Sequence, residues 1–370
     1  MPIDKQARIK EEADRLSARF VQAGGVSVEV ASLQPAHMLL DLYGEDIRAR
    51  AYVTHDDARG EQMLRPDFTM PVVQMHMTHG AEPARYTYNG PIWRKPQPGS
   101  DRASEYLQVG YEVFDRADPA AADAEVFGLF ADVLAPLNLR AATGDMGILR
   151  AAVLGLTTIE RRKTALLRHL WRPQRFKQLL DRFGGVLDVP KERRKLLAAA
   201  KQTDAGDLGK KAGVHIGLRS MDDVAARVHA LQEDAVAPDI SSEELAVLFE
   251  ISNLSGKSDT AAARLKDLAN TLPAIASAVS RMERRLAALD AKGIDVSALD
   301  FEASYGRTTL EYYDGFVFGF YADGRRDLPV IASGGRYDAL TKVLGQGRSI
   351  PAVGGVIRPE FSLAVREAAQ

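Results

Sequence analysis

Residues 85–114 constrain what this 370-residue chain can fold into more than any other stretch. They contain two runs of alternating side chains, at residues 86–88 and 106–111, on either side of a polar loop rich in proline, glycine and serine. Alternation on both sides of such a loop is typical of two antiparallel strands. The sequence therefore predicts a β-hairpin.

One face of the second strand carries a polar pair. Side chains four residues apart in a strand point the same way, so Gln108 and Glu112 share a face, with Gly110 between them. The small central residue leaves a polar floor, which suits a ligand with several donors, for instance an α-ammonium and an imidazole N–H. The alternative is that both side chains merely face water on an antiparallel sheet.

Five segments, in their order along the chain, resemble the catalytic core of the class II histidyl-tRNA synthetases. The resemblance implies an α+β fold with a mainly antiparallel sheet flanked by helices. The segments are LRPDFTMPVV (residues 64–73), NGPIWR with the loop and strand that follow it (89–114), LEYYDGFVF (310–318), SGGRYDAL (333–340) and PAVGGVIRPEFSL (351–363).

The resemblance implies that the amino-acid pocket of this family is present. An anion, an amide and phenol hydroxyls are what a small cationic ligand with two ring nitrogens needs when it is desolvated. The positions implied to bind histidine are Asp67, Thr69 and Gln108 for the α-amino group, Glu112 and Tyr313 for the imidazole, Tyr337 as a further wall, and Arg94 for the carboxylate. At Asp67 the family has a glutamate.

The positions that bind ATP in the histidyl-tRNA synthetases differ in this chain. Adenylation of an amino acid with ATP depends on cationic side chains placed where negative charge develops, and loss of one such group typically lowers the rate about 100- to 1000-fold. We therefore expect no adenylation and no catalytic residues. The departures are Pro96 for a glutamate, Gln97 and Ser104 for arginines, Phe361 for the third-motif arginine and Thr308 for the arginine that activates the carboxylate. Arg307 is one residue from Thr308, but a shift of register turns its side chain to another face.

A histidine pocket without ATP chemistry resembles one family in particular, the regulatory subunit of ATP phosphoribosyltransferase, a synthetase paralogue of bacterial histidine biosynthesis. The resemblance implies a non-catalytic sensor without a cofactor, which binds L-histidine and supports a separate short catalytic subunit. It also implies a hetero-oligomer with that subunit, whose stoichiometry, an octamer included, stays open. We expect a homodimer as well, although Ala31 stands where the first class II motif has a proline.

Composition narrows the function classes. Lys plus Arg number 48 against 50 for Asp plus Glu, so the net charge of −2 gives no support for nucleic-acid binding. Cysteine is absent, which excludes disulfides and thiolate metal sites. The N-terminus is charged, with no apolar signal core and no membrane span, so we expect a cytoplasmic protein. His76 and His79 lack a third ligand nearby, so we expect no metal site.

The organisation follows from a shift in composition. Residues 1–149 and 293–370 are assigned to the synthetase-like core, and residues 150–292, rich in Ala, Leu, Arg and Asp at helical spacing, to an inserted helical lobe. The chain ends seven residues after the third motif, so we expect no C-terminal anticodon-binding domain. The pairs Gly334-Gly335 and Gly354-Gly355 are not phosphate loops and predict close backbone approach instead.

Two alternatives from other classes remain. One is a truncated synthetase-like enzyme that activates histidine with ATP, which pyrophosphate exchange would reveal. The other is a tRNA- or nucleic-acid-binding module that uses the basic cluster at residues 160–177. The competing interpretation of that cluster is a solvated helix face whose side-chain stems pack on the core.

Overall fold

The structure, a computed structural model, describes residues 3–37, 50–96, 99, 102–202, 204, 206–207, 220–305 and 312–368. It divides into two compact units. Unit 1 comprises Met1–Ile148, Asn253–Asp267 and Ala276–Gln370, and unit 2 comprises Leu149–Ser252 and Leu268–Ile275.

The described residues form the following helices and strands. The helices are α1 Ile3–Gln22, α2 Thr69–His79, α3 Pro119–Leu134, α4 Met146–Leu154, α5 Glu160–Arg168, α6 Pro173–Phe183, α7 Lys191–Gln202, α8 Met221–Val236, α9 Ser242–Asn253, α10 Ser258–Thr271, α11 Ala276–Asp290, α12 Asp338–Leu344 and α13 Pro359–Ala368. The strands are β1 Val26–Ser27, β2 Leu33–Pro35, β3 Val53–Asp56, β4 Gly60–Leu64, β5 Ala84–Trp93, β6 Glu105–Phe114, β7 Arg140–Asp145, β8 Ser255–Lys257, β9 Asp300–Glu302, β10 Phe316–Tyr321, β11 Ala332–Arg336 and β12 Ala352–Ile357.

Unit 1 is built on a sheet with the strand order β1-β5-β6-β12-β11-β10-β7-β9-β8. The pairs β1–β5 and β7–β9 are parallel and the others are antiparallel. A second sheet has the order β2-β4-β3. The α+β architecture with a mainly antiparallel sheet is therefore confirmed.

The predicted hairpin is present as β5 and β6. Their ten-residue strands pair from Ala84 opposite Phe114 to Trp93 opposite Glu105. The backbone N–H of Arg94 still donates to the carbonyl of Ser104 at 2.8 Å. This register fixes which face each side chain of β6 occupies.

The two faces of the large sheet differ in chemistry. One face packs its aromatic and aliphatic side chains against α1, α3 and α11, with Tyr111, Phe127, Phe130 and Phe318 at most 1 % exposed. Because side chains alternate along a strand, Gln108, Gly110 and Glu112 lie on the opposite face. The candidate site is on that second face.

Unit 2 contains α5 to α9, whose apolar sides form a separate core. Leu166, Phe176, Leu180, Leu248 and Ile251 are each at most 2 % exposed. The helix α6 begins with Pro173, which suits the first turn of a helix because its missing N–H needs no partner there.

The predicted boundaries of the helical lobe differ from these units over two segments. Residues 253–267 and 276–292 were assigned to the lobe but belong to unit 1. The reason is packing: Leu289 of α11 lies fully buried in the same cluster as Phe127 of α3, and β8 pairs with β9 at the sheet edge. Helical periodicity shows that α11 has an apolar face, but not which core that face meets.

The ends of two helices are marked by local features of the chain. The helix α1 ends at Gln22, just before Gly24 and Gly25. The helix α3 is followed by a 3-10 turn at Ala135–Leu137. None of the helices in the described part of the chain is both long and apolar enough to span a bilayer.

Candidate functional site

The centre of the site is the carboxylate of Glu112, which is fully buried on β6. Its Oε1 accepts hydrogen bonds from the hydroxyls of Thr69 and Tyr88, each at 2.9 Å. Its Oε2 accepts one from the hydroxyl of Tyr337 at 2.5 Å. Three separate segments, the start of α2, β5 and the residue before α12, therefore converge on one carboxylate.

Glycines make room for this carboxylate. Gly354 of β12 lies opposite Glu112, and a Cβ placed at Gly354 would collide with Oε2 of Glu112. Gly110 lies opposite Tyr88, and a Cβ there would collide with the ring of Tyr88. The predicted close approach at the glycine pairs is thus observed, and at Gly354 the group approached is the site carboxylate itself.

Burial controls the protonation of Glu112. It raises the pKa of Glu112 to about 7, against the lowering effect of the hydroxyls of Tyr337, Thr69 and Tyr88, while the charge of Asp67 raises it further. A carboxylate has roughly four acceptor positions. Among the described residues, the three hydroxyls occupy three of them. One position on Oε2 is therefore left for a further N–H donor.

Gln108 and Asp67 lie near this centre with different surroundings. Gln108 is 1 % exposed, and its Oε1 has no hydrogen-bond partner among the described residues. An unsatisfied buried amide oxygen costs free energy unless a ligand or water donates to it. Asp67 is 5 % exposed and accepts from the backbone N–H of Met70 at 3.3 Å. The interpretation that Gln108 and Glu112 face water is wrong, since both are buried.

Tyr312 and Tyr313 lie near Thr69 and Glu112. Tyr313 is 5 % exposed, and burial, followed by the negative charge of Glu112, raises the pKa of Tyr313 above its usual range. Its ring packs edge-on against Tyr312 with 4.7 Å between centroids. The hydroxyl of Tyr312 donates to Oγ1 of Thr69 at 3.4 Å. The hydroxyl of Thr69 therefore accepts from Tyr312 and donates to Glu112.

Two residues of the candidate site, Tyr88 and Tyr312, were not predicted from the sequence. Tyr88 donates to Glu112, and its ring stacks on Phe68 with 4.3 Å between centroids. Tyr312 contacts Thr69. The signal for Tyr88 was available, because the hairpin register places it opposite Gly110 on the face of Glu112.

A buried ion-pair network holds the segment before Tyr337. Both Nε and Nη2 of Arg336 donate to Oδ1 of Asp123, at 3.0 and 2.7 Å. Arg285 pairs with Asp145 at 2.9 Å and lies 3.6 Å from the other oxygen of Asp123. Charges this buried must be paired, and removal of one partner is strongly destabilising. The network fixes the backbone from which the hydroxyl of Tyr337 reaches Glu112.

The residues of the ATP side are only partly described. Gln97, Arg307 and Thr308 lie outside the described residues. Pro96 is exposed, and Arg94 is half-buried, with its Nε donating to the carbonyl of Pro66 at 2.7 Å. Phe361 lies in the first turn of α13, where its N–H donates to the carbonyl of Arg358.

The two histidines of α2 are placed differently. His76 is fully buried, stacked on Phe114, with Nδ1 3.1 Å from the hydroxyl of Tyr86, and burial lowers its pKa. His79 is exposed. Among the described residues, no group of three or more His, Cys, Asp or Glu side chains is arranged to hold a metal ion.

The basic cluster of residues 160–177 is partly structural. Arg162 is 6 % exposed and donates to Asp234 and to the carbonyl of Pro238, each at 2.7 Å. Arg182 and Arg193 also pair with Asp234. The guanidinium of Arg162 is therefore engaged inside unit 2.

Comparison with known proteins identifies the family and the fold. The profile of the histidyl-tRNA synthetase family matches residues 3–237 and 224–361. Two solved structures share the fold: an ATP phosphoribosyltransferase regulatory subunit/histidyl-tRNA synthetase from Bacillus halodurans (20 % identity, 97 % of this chain and 79 % of that one, TM-score 0.68) and the histidyl-tRNA synthetase from Nostoc sp. PCC 7120 (15 % identity, 99 % and 73 %, TM-score 0.63).

Sequence relatives are similar over nearly the whole chain. A protein from Rhizobium johnstonii is 32 % identical, with 92 % of this chain and 94 % of the relative covered, and one from Mesorhizobium japonicum is 32 % identical, with 98 % and 99 % covered. Both are named ATP phosphoribosyltransferase regulatory subunit. This chain therefore belongs to the family of ATP phosphoribosyltransferase regulatory subunits, which has the fold of the histidyl-tRNA synthetases.

Proposed function

We propose that this chain binds L-histidine at Glu112 and conveys feedback control to the catalytic subunit of ATP phosphoribosyltransferase. Membership of the family makes it a regulatory, non-catalytic subunit of the first step of histidine biosynthesis. The proposal adds the ligand, its pocket and the direction of control. The pocket comprises Asp67, Thr69, Arg94, Gln108, Glu112, Tyr313 and Tyr337.

The observation that carries the proposal is the buried carboxylate with one acceptor position left. A ring N–H of the ligand would donate to Oε2 of Glu112, beside the hydroxyl of Tyr337. The amide oxygen of Gln108, which has no partner among the described residues, would accept from the ligand's α-ammonium together with Asp67. Each ligand donor then meets an acceptor that the fold has already desolvated.

Coupling to the partner would take the form of a binding equilibrium. If histidine binds one arrangement of the hetero-oligomer more tightly, it shifts the complex toward that arrangement by the difference in affinity. Such coupling is typically about 1–3 kcal/mol and is reciprocal. The catalytic subunit should therefore change the affinity for histidine by the same factor.

The family name implies a catalytic partner subunit. The proposal adds that the partner is the short catalytic subunit, that this chain also forms a homodimer, and that the complex is cytoplasmic and binds no nucleic acid. Size measurement of the chain alone and with its partner tests the assembly.

The first experiment is calorimetry of L-histidine with the purified chain, with and without ATP. We expect selective binding that is indifferent to ATP. Glu112→Gln removes the buried charge and should weaken binding about 10- to 100-fold, since hydrogen bonds to charged groups contribute about 1.5–3 kcal/mol. Glu105→Gln is the matched control, because Glu105 lies on the same strand but is exposed.

The same variants test the site in the complex. Inhibition of the partner by histidine should require about 10- to 100-fold more histidine with Glu112→Gln than with Glu105→Gln. Unchanged potency in Glu112→Gln would place the inhibitory site elsewhere. Histidine-dependent pyrophosphate exchange with ATP would instead support the truncated-synthetase alternative.

A further inference from the structure

Arg358 lies on the same face of the sheet as Glu112. In β12, Gly354 is opposite Glu112 and Ile357 is opposite Val109. The next residue, Arg358, continues the ladder, since its backbone N–H donates to the carbonyl of Ile331 at 3.0 Å. Alternation along the strand puts residues 354, 356 and 358 on one face. Extension of the β12–β6 register by one residue beyond Ile357 and Val109 places Arg358 opposite Gln108.

The guanidinium of Arg358 has only neutral hydrogen-bond partners among the described residues. Its Nη1 donates to the carbonyl of Val330 at 3.1 Å, and Nη1 and Nη2 lie 3.4 and 3.3 Å from Oγ of Ser333. None of the described carboxylates pairs with it. A guanidinium carries five N–H donors in a planar fork, so donors remain for a planar anion.

The surroundings of Arg358 connect it to the pocket. Burial, followed by the positive charge of Arg94, lowers the pKa of Arg358. The positive charge of Arg358 and the negative charge of Glu112 both act on the pKa of Tyr313, in opposite directions. A cation in this position is unfavourable without a counter-anion. Tyr313 is thus close enough to both Arg358 and Glu112 to be influenced by each charge.

We propose that Arg358 binds the α-carboxylate of the ligand whose ring N–H is held by Glu112, and so makes the pocket selective for an α-amino acid over the corresponding amino alcohol. The proposal rests on the proposed function of this pocket and adds the residue that recognises the carboxylate. The charge of Arg94 also acts on Arg358, but the Nε of Arg94 already donates to the carbonyl of Pro66.

A structural role for Arg358 makes a different prediction. If the guanidinium only holds the carbonyl of Val330 and thereby the end of β11, its loss would weaken every ligand of the pocket alike. If it binds the carboxylate, its loss would weaken only ligands that carry one. The contrast between L-histidine and L-histidinol, which has a hydroxymethyl group in place of the carboxylate, separates the two.

The test is calorimetry of L-histidine and L-histidinol with the full chain and with Arg358→Gln. We expect the full chain to prefer histidine about 10- to 100-fold, as for a charge-assisted pair. Arg358→Gln should lose that factor for histidine and change histidinol binding less than about two-fold, so that the preference disappears. Arg358→Lys keeps a charge without the fork and should restore part of it.

Three results would overturn the proposal in distinguishable ways. Equal binding of both ligands by the unmodified chain leaves the histidine pocket standing and removes the role of Arg358. Equal weakening of both ligands in Arg358→Gln assigns Arg358 a structural role. Binding of neither ligand by the unmodified chain, alone or with its catalytic partner, refutes the proposed function and this inference with it.

Controls keep the test independent of folding. Arg366→Gln removes a partly buried arginine of α13 that pairs with Glu12 at 3.3 Å, away from the pocket residues, and should leave the preference for histidine unchanged. Thermal unfolding of each variant checks the fold. Should Arg358→Gln fail to fold, the comparison of the two ligands on the unmodified chain and on Arg358→Lys still decides the outcome.

Discussion

The hydroxyl of Tyr337 donates to Oε2 of Glu112 at 2.5 Å, which joins the residue after β11 to the C-terminal half of β6. Both residues are at most 1 % exposed. A hydrogen bond between a phenol and a carboxylate is strong when neither group is solvated. The protonation of Glu112 therefore depends on the position of the Tyr337 hydroxyl.

The stability of the chain should depend on pH through Glu112. Its pKa is about 7 in the folded chain and near 4.5 when exposed. Between these values the folded state binds more protons than the unfolded state, so this contribution to the free energy of unfolding falls as pH rises. The two values correspond to roughly 3 kcal/mol at most. Urea unfolding at pH 5 and pH 8 should show the effect as a difference between the unmodified chain and Glu112→Gln.

Other groups titrate over the same range, so the difference between the two proteins is the informative quantity. His76 acts in the opposite sense, because its lowered pKa makes the fold less stable as pH falls below about 6.5. A pH dependence that is identical in Glu112→Gln and in the unmodified chain would show that Glu112 ionises normally.

Tyr337→Phe should destabilise the chain at pH 8 and raise the pKa of Glu112 further. The substitution removes a donor that lowers this pKa and leaves the carboxylate buried with two hydroxyls. The expected loss is about 1.5–3 kcal/mol, as for hydrogen bonds to charged groups. The urea-unfolding profile against pH should move to higher pH. Tyr52→Phe, a tyrosine whose hydroxyl takes no part in this site, should leave the profile in place.

Gly354→Ala should damage both the fold and the site. Its Cβ would collide with the carboxylate of Glu112 and lie 2.8 Å from the carbonyl oxygen of Tyr111. Overpacking of this kind typically costs about 1–3 kcal/mol, measurable by thermal unfolding. Gly128→Ala is the matched control: its Cβ would meet Lys292 at 3.5 Å, an ordinary contact, within helix α3. That substitution should be neutral or stabilise by up to about 1 kcal/mol.

Asp234→Asn should destabilise unit 2. Asp234 pairs with Arg162, Arg182 and Arg193, and the substitution leaves three guanidinium groups together without this carboxylate. Breaking a buried pair on one side typically costs about 3–5 kcal/mol, and partial exposure here should reduce that figure. Chemical denaturation should show the loss, and added salt should reduce it. Asp188→Asn, at an exposed carboxylate, should be neutral.

The hairpin of unit 1 follows from local sequence patterns, whereas the α+β architecture was expected from the resemblance of five segments to the histidyl-tRNA synthetases. Alternation around Gly110 predicts the hairpin and the shared face of Gln108 and Glu112, because side chains alternate along a strand. The donor role of Tyr88 depends on the register that the structure shows and was missed. The division into units was less predictable, because the amphipathic helix containing Leu289 gives no information on its partner.

The remaining differences come from long-range pairing. Arg162 belongs to a basic run that resembles a nucleic-acid surface until Asp234, distant in sequence, is seen to bind it. Arg358 directly follows β12 and precedes α13, and the sequence of that segment does not show what its guanidinium meets. Its neighbours Ser333 and Tyr313 come from other strands and loops. Such contacts depend on sheet order, which local patterns do not specify.

The ion pair between Arg336 and Asp123 holds the residue before Tyr337, and it affects where a signal from the proposed ligand can originate. It holds the segment that carries the phenol before any ligand arrives, so the entropy of ordering Tyr337 is lost during folding and not during binding. A preorganised receptor of this kind gains affinity without moving. Any motion that reports occupancy to a partner must then begin outside this preorganised segment.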